Sequence, residues 1–328
     1  MEFQFLGTSS GVPTRQRNVS GLALNAEGAK AWYLVDCGEG TQHQLLRSHY
    51  SLSCLAAIFV THVHGDHSFG LPGLLASAAM AGRREPLSII APEGVLHFVR
   101  TAIECTDMHL SYELRLQSVE TFNGSWCDEH VRVELCELSH RVPSYAYCFT
   151  ESQSKQRLDV DKLVRAGIPR GPLWGQLQSG KNVRLGSGEE LIAEHYWLAP
   201  LPPRRVVIGG DNDRPLLLRE ACVGAQLLIH ESTYTDTVAK KVGSAPQHSS
   251  AKMVAEFAQS ATLPNLLLTH FSARYESESI EQIRAEAEQY FEGELFLAAD
   301  LECYFLDRQG VLSVTFPGRV DLASAVTL

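Results

Sequence analysis

The sequence predicts an α/β protein whose sheets are covered by helices on both faces. Three observations carry this. Short apolar, β-branched runs recur along the chain, several end abruptly in a histidine or an acid, and segments with helical punctuation lie between them. The runs "AWYLVDCGEG", "AAIFVTHVHGDH", "VRVELCELSH", "RVVIGGDND", "AQLLIHEST" and "NLLLTHFS" read as strands buried on both faces. Among the helices, "LPGLLASAAMAG" carries Pro72 in its first turn and stops at Gly82. "SSAKMVAEFAQSA" opens with a serine cap, and "SESIEQIRAEAEQYF" keeps helical apolar spacing. In such a fold, chemistry belongs at the strand ends, where loops project side chains.

The 328 residues suit one large domain with a sizeable core. With no linker or repeat in view, the expectation is a single domain over 1–328 with one insertion at about 152–185. No apolar run approaches the ~18 residues of a membrane span. The start "MEFQFLGTSSGVP" lacks the basic-then-apolar pattern of a secretory leader. Eight scattered cysteines, none in a CxxC pair, read as free thiols of a reducing compartment, so a cytoplasmic protein is expected. The net charge of −10 excludes a broadly electrostatic nucleic-acid binder. From Ser152 to Leu185, however, seven basic residues (Lys155, Arg157, Lys162, Arg165, Arg170, Lys181, Arg184) face only Asp159 and Asp161. That segment carries +5, against −15 for the remainder.

The densest chemistry is "THVHGDH", Thr61 to His67, directly after an apolar run. His62 and His64 can point to one side of a strand-end loop. Gly65 would permit a tight turn that brings Asp66 and His67 to the other side. Four metal-competent side chains in six positions are hard to satisfy without a cation, and this arrangement suits two. His140, Asp211 and His270 end three further runs, which gives seven donors. Asp211 is expected to bridge, because a carboxylate has two oxygens. Imidazole and carboxylate suit zinc, with manganese or iron as substitutes.

These residues resemble the HxHxDH signature of the metallo-β-lactamase superfamily, whose members share a four-layer αβ/βα sandwich with a dinuclear site. The stretches "FLGTSSGVPTRQRNVSG", "YLVDCGEGTQHQL", "THVHGDHSFGLPGLL", "HESTY", "HSSAKMVAEFA" and "LTHFSARY" are more specific. In this order they resemble the tRNase Z (ribonuclease Z) branch, over roughly residues 3 to 275 and in its short form. The resemblance implies two Zn2+ per chain: one on His62, His64 and His140, the second on Asp66, His67 and His270, with Asp211 between them. It also implies a homodimer that cuts the 3′ trailer from precursor tRNA, leaving a 3′-hydroxyl on the tRNA and a 5′-phosphate on the trailer. Neither DNA nor a membrane is expected as a partner. Three positions depart from the family pattern: Asn212 stands where Thr usually follows the bridging Asp, and Ser232 and Ser250 replace small neighbours.

Asp66 is expected to act both as ligand and as proton acceptor, and His248 as the general acid for the departing oxygen, oriented by Glu231. Asp36 and Glu39 of "DCGEG" would orient ligands, and His230 reads either as a core residue or as a support behind the ligands. "GIPRGPLWGQLQSGKNVRL" resembles the close of the family's protruding RNA-binding arm. Lys155, Arg157, Lys162, Arg165, Arg170, Lys181 and Arg184 would then meet phosphates, with Gly171 and Pro172 fixing the turn at the arm's return and Ile168 and Trp174 anchoring it. Arg15, Arg17, Arg141 and Arg274 lie in strand-end loops and could meet RNA near the cut. Two other readings use the same residues. One is a glyoxalase-II-like thioesterase or small phosphodiesterase, which would need no arm. The other is a non-catalytic RNA-binding module, which would not need to keep all seven donors.

Overall fold

A computed structural model describes residues 1–122, 124–152, 157–186, 188–199 and 202–315, without the side chains of 277 and 278. The chain divides into two units: Met1–Thr150 with Arg204–Leu328, and Glu151–Pro203.

The larger unit holds two mixed sheets. The first orders its strands Leu312–Thr315, Cys303–Leu306, Glu2–Gly7, Gly21–Asn25, Trp32–Val35, Leu55–Phe59, Leu87–Ala91 and Leu114–Ser118. The second runs Glu294–Leu297, Asn265–Thr269, Leu227–Glu231, Arg205–Ile208, Ser144–Glu151, Val131–Leu138 and Ser125–Cys127. In the first sheet the strands from Trp32 to Ser118 are parallel, and in the second those from Arg205 to Leu297 are parallel.

Side chains alternate across each strand, so a run that is apolar throughout feeds two layers. Tyr33, Ala57, Phe59, Tyr147, Phe149, Ile208 and Ile229 meet between the sheets, where Phe59 packs edge-on against Phe149 at 5.2 Å. Leu34, Ile58 and Ile89 point outward, under the helices Leu71–Met80 and Glu93–Cys105. Val207, Leu228 and Leu266 do the same under Ala251–Ser260 and Glu281–Ala287. The result is helix, sheet, sheet, helix: the four layers expected.

The helix ends follow the local signals. Ser250 accepts the Met253 N–H at 3.3 Å, and Gly82 takes the left-handed turn beyond Met80. One strand departs from expectation. Val131–Leu138 is buried only at Val131 and Val133 and otherwise half-buried or exposed, because it is antiparallel and paired to the short edge strand Ser125–Cys127.

The smaller unit has its own core of Leu163, Ile168, Leu177, Val183, Leu191 and Ala193. Asp159 caps the helix Val160–Arg165 by accepting the Lys162 N–H at 2.9 Å. A second helix spans Pro172–Gln178, and Val183–Arg184 pairs with Glu190–Leu191. The unit therefore runs past the charged segment at 152–185. It adds Glu151, Glu189, Glu190 and Glu194 to Asp159 and Asp161, so seven basic residues face six acidic ones and the whole unit carries +1.

Candidate metal centre

Every donor singled out in the sequence lies in the larger unit, just beyond a strand end. Thr61–His67 follows Leu55–Phe59, Asp211 follows Arg205–Ile208, and His270 follows Asn265–Thr269, all at C-terminal ends of parallel strands. His140 follows the antiparallel strand Val131–Leu138.

The seven converge in two groups. In the first, His64 Nδ1 lies 3.0 Å from His62 Nε2 and 3.3 Å from His140 Nε2. In the second, His67 Nε2 lies 3.2 Å from His270 Nε2, and Asp66 Oδ2 is 3.5 and 3.4 Å from those two nitrogens. Asp211 offers one oxygen to each group. Its Oδ2 is 3.6 Å from His62 and 3.7 Å from His140, while its Oδ1 is 3.5 Å from His67 and 3.4 Å from His270. Donors around a tetrahedral cation with bonds of 2.0–2.1 Å sit about 3.3–3.4 Å apart, so the spacing fits. Imidazole nitrogens with no hydrogen between them repel at such distances unless a cation lies among them. The donor set is that of a divalent metal centre.

The ring faces turned away from the centre are held as well. His67 Nδ1 donates to Asp36 Oδ2 at 2.7 Å, and Thr61 donates to both Asp36 oxygens. His140 Nδ1 donates to the Gln247 carbonyl at 2.8 Å. Thr233 Oγ1 stands 3.2 Å from His270 Nδ1 and donates to Glu231 Oε2 at 2.5 Å. Such partners fix tautomer and ring orientation. Asp36, Gln247 and His270 all take left-handed φ values of 54–59°, rare for residues with a side chain. These hydrogen bonds hold them there.

Burial and the nearby carboxylates pull these rings in opposite directions. Burial, with neighbouring imidazoles, pushes His62 well below the ordinary range, and burial also lowers His64 and His140; all three stay neutral acceptors. Burial acts downward on His67 too, but Asp36, Asp211 and Asp66 outweigh it and raise it to about 10. Asp66 is held low despite burial, by His67 and His270.

His248 lies next to the donors, within reach of Asp211 and His270, just before the helix Ala251–Ser260 and lining the same cavity. Its Nδ1 is 3.0 Å from Glu231 Oε1 and 3.7 Å from Asp211 Oδ2. Burial pulls it down, yet Glu231 and Asp211 prevail and raise it to about 9. Glu231, pushed up by burial, is brought to about 2 chiefly by His248. A buried imidazolium–carboxylate pair thus faces a cavity of about 400 Å³ that His64, Asp66, Arg141 and Asp211 also line.

Several expectations change. In place of the expected tight turn, Gly65 opens the short helix Gly65–Ser68, with the Phe69 ring packed where a Cβ would stand. Glu39 is exposed and lines the cavity, but no hydrogen bond joins it to any of the seven. Asn212 does not touch the Asp211 carboxylate. It donates to His230 Nε2 at 3.1 Å and accepts from Ser139 N–H and Arg214 N–H. His230 is fully buried and donates to the Glu231 carbonyl, in agreement with a core role. Arg17 turns inward to Thr8 and the Ala298 carbonyl, whereas Arg15, Arg141 and Arg274 are exposed. Thr61, Thr233 and Gln247 went unnoticed in the sequence. The first two adjoin the motifs, but a carbonyl partner such as Gln247 leaves no side-chain signal.

In the inserted unit, Arg157, Lys162, Arg165, Arg170, Lys181 and Arg184 are exposed, and Lys155 lies outside the described residues. Lys162 is engaged locally, donating to the His195 carbonyl at 2.6 Å. Gly171 and Pro172 do not turn the chain back. They open the helix Pro172–Gln178, since proline's fixed φ suits a first helical turn. Ile168 is buried in the unit's core, and Trp174 packs against it under the Arg170 guanidinium, 5.6 Å from the ring centroid.

Fold and donor set together define a metal-dependent hydrolase of the metallo-β-lactamase fold. A metallo-beta-lactamase fold protein, YhfI of Bacillus subtilis, superposes with a TM-score of 0.62 at 17% identity, covering 92% of this chain and 98% of that one. The human short-form tRNase Z gives 0.63 at 26% identity, over 94% of this chain and 100% of that chain. A family model described as Anti-Pycsar protein Apyc1 matches residues 1–151. A ribonuclease Z of Marinobacter nauticus is 55% identical over 313 residues, 94% of this chain and 97% of the relative. The chain belongs to the ribonuclease Z family. No helix among the described residues is long and apolar enough to cross a membrane.

Proposed function

We propose that this chain is a zinc-dependent endoribonuclease that removes the 3′ trailer of precursor tRNA. The observation that carries the reading is Asp211, whose two oxygens face two separate donor groups in a chain of this family. His62, His64 and His140 would hold one cation, Asp66, His67 and His270 the other, with Asp211 shared. When bound, the pair supplies Lewis acidity toward water and the scissile phosphate.

The rest falls to the protein's own groups. Asp66 stands at the cavity as ligand and proton acceptor. With a 5′-phosphate left on the trailer, the departing group is the 3′-oxygen of the tRNA, which needs a proton. His248, held protonated by Glu231, is the donor. Glu231 fixes the ring and Thr233 fixes Glu231.

The inserted unit is proposed as an RNA-binding arm, with Arg157, Arg165, Arg170, Lys181 and Arg184 meeting phosphates, Lys155 and Lys162 contributing nearby, and Gly171 and Pro172 shaping the surface. Arg274 would meet RNA near the cut. We also propose a cytoplasmic homodimer. A small chromogenic phosphodiester, which needs only the cavity, should also be hydrolysed. The test is to incubate the protein with 3′-extended precursor tRNA and map the new ends with and without chelator. Cleavage just after the acceptor stem, lost with chelator and restored by Zn2+, is expected. Intact precursor under all conditions contradicts the reading.

A further inference from the structure

Beyond the metal centre, one network closes the base of the loop Thr8–Asn18. Asp300 accepts from Thr8 Oγ1 at 2.7 Å on one oxygen, and from Asn18 N–H at 2.6 Å and Gln44 Nε2 at 3.0 Å on the other. Arg17 donates to Thr8 Oγ1 at 2.7 Å and to the Ala298 carbonyl at 2.9 Å, and its guanidinium lies 5.1 Å from the centroid of the Phe271 ring. Thr8 N–H and Ser9 N–H both donate to the Asn18 carbonyl. Both ends of the loop are thus gathered on one carboxylate.

From that base the loop reaches one half of the metal centre. Gly11 N–H donates to Asp66 Oδ2 at 2.7 Å. The Thr8 carbonyl accepts from Phe271 N–H at 2.9 Å, fixing the residue next to His270, and Ser9–Ser10 continues this as a parallel pair with Phe271–Ser272. Among the described residues, no hydrogen bond joins the loop to His62, His64 or His140.

We propose that Asp300 is a positioning residue for the Asp66, His67 and His270 half of the centre. By closing the loop's base it sets where the Gly11 N–H and the Thr8 carbonyl hold Asp66 and the residue after His270. A carboxylate suits the task because it has only acceptors and three donors converge on it beside a guanidinium. An amide of equal size would turn an NH2 toward one of those donors. The inference rests on the two-group reading of the centre proposed above.

The test compares wild type and Asp300→Asn by chelator-competition titration with Zn2+, alongside turnover of a small chromogenic phosphodiester and the KM for precursor tRNA. Wild type should titrate two cations. The variant should keep one at wild-type affinity and bind the other ~10–100-fold more weakly, the usual cost of losing such support. Turnover should fall, excess Zn2+ should restore it, and the KM for precursor tRNA should stay unchanged. If both cations bind as in wild type, or both weaken alike, the positioning role is overturned. If Asp300→Asn does not fold, Thr8→Val removes the side-chain bonds to Asp300 and Arg17 while keeping the carbonyl, and the same selective loss is required of it. A wild type that titrates a single cation would instead overturn the two-group reading, and this inference with it.

Discussion

The metal centre and the inserted unit, the proposed RNA-binding arm, hold their charged groups in opposite ways. Around Asp211, donors are buried or half-buried, and His67, His140 and His270 have fixed partners behind the ring in Asp36, Gln247 and Thr233. In the inserted unit, Arg165, Lys181 and Arg184 are exposed, and the acids at 189, 190 and 194 nearly cancel the basic excess. Coordination and proton transfer need placement to within fractions of an ångström, and so rigid support. Phosphate attraction tolerates mobile side chains, since it depends on charge number more than on angle.

The sharpest break of this contrast is His64→Ala or Asp211→Ala. Each should remove metal and cleavage together, on the order of 10³–10⁵-fold in rate, because the centre supplies several kcal/mol to the transition state. A variant that keeps two ions and full activity would take either residue out of the centre. Next comes His248→Ala, expected to keep its metal while single-turnover cleavage falls ~10²–10⁴-fold.

The pH profile sharpens the same point. The donor form of His248 is the imidazolium, so it exists below the residue's pKa, and cleavage should decline as pH rises through that value. The Glu231 partner places the decline near 9, and bound cations would move it lower by repelling the charge. The alanine variant should lack that limb; its persistence would mean that another group gives the proton.

The smallest effect is expected from the other region. Replacing residues 152–202 by a Gly/Ser link should leave metal content and small-diester turnover intact while weakening precursor tRNA binding. The slope of log K against log salt should flatten by roughly 0.7–0.9 for each phosphate no longer neutralised. An unchanged affinity and slope would remove this unit from RNA recognition. Because the unit nets only +1, the flattening should correspond to a few phosphates rather than one for each of its basic residues.

Legibility followed the same contrast. The layers were readable because runs such as "YLV" and "AAIF" are apolar on both faces, and the donors because each closes such a run. The division of the motif into two pairs was legible, but not the short helix that makes it, in which the Phe69 ring leaves no room for a Cβ at Gly65. The support from Gln247 and Gly11 was invisible, since backbone groups are the same in every residue. The inserted unit's charge was misjudged because its fold extends to Pro203, and only the fold shows that the later acids belong to it.

The central claim is that Asp211 joins two cation sites. Anomalous diffraction at the zinc edge, from crystals grown with Zn2+, tests it most directly. Two peaks are expected, one within His62, His64 and His140 and one within Asp66, His67 and His270, each bonded to a different oxygen of Asp211. A single peak, or two peaks of which one lies away from Asp211, would contradict the account.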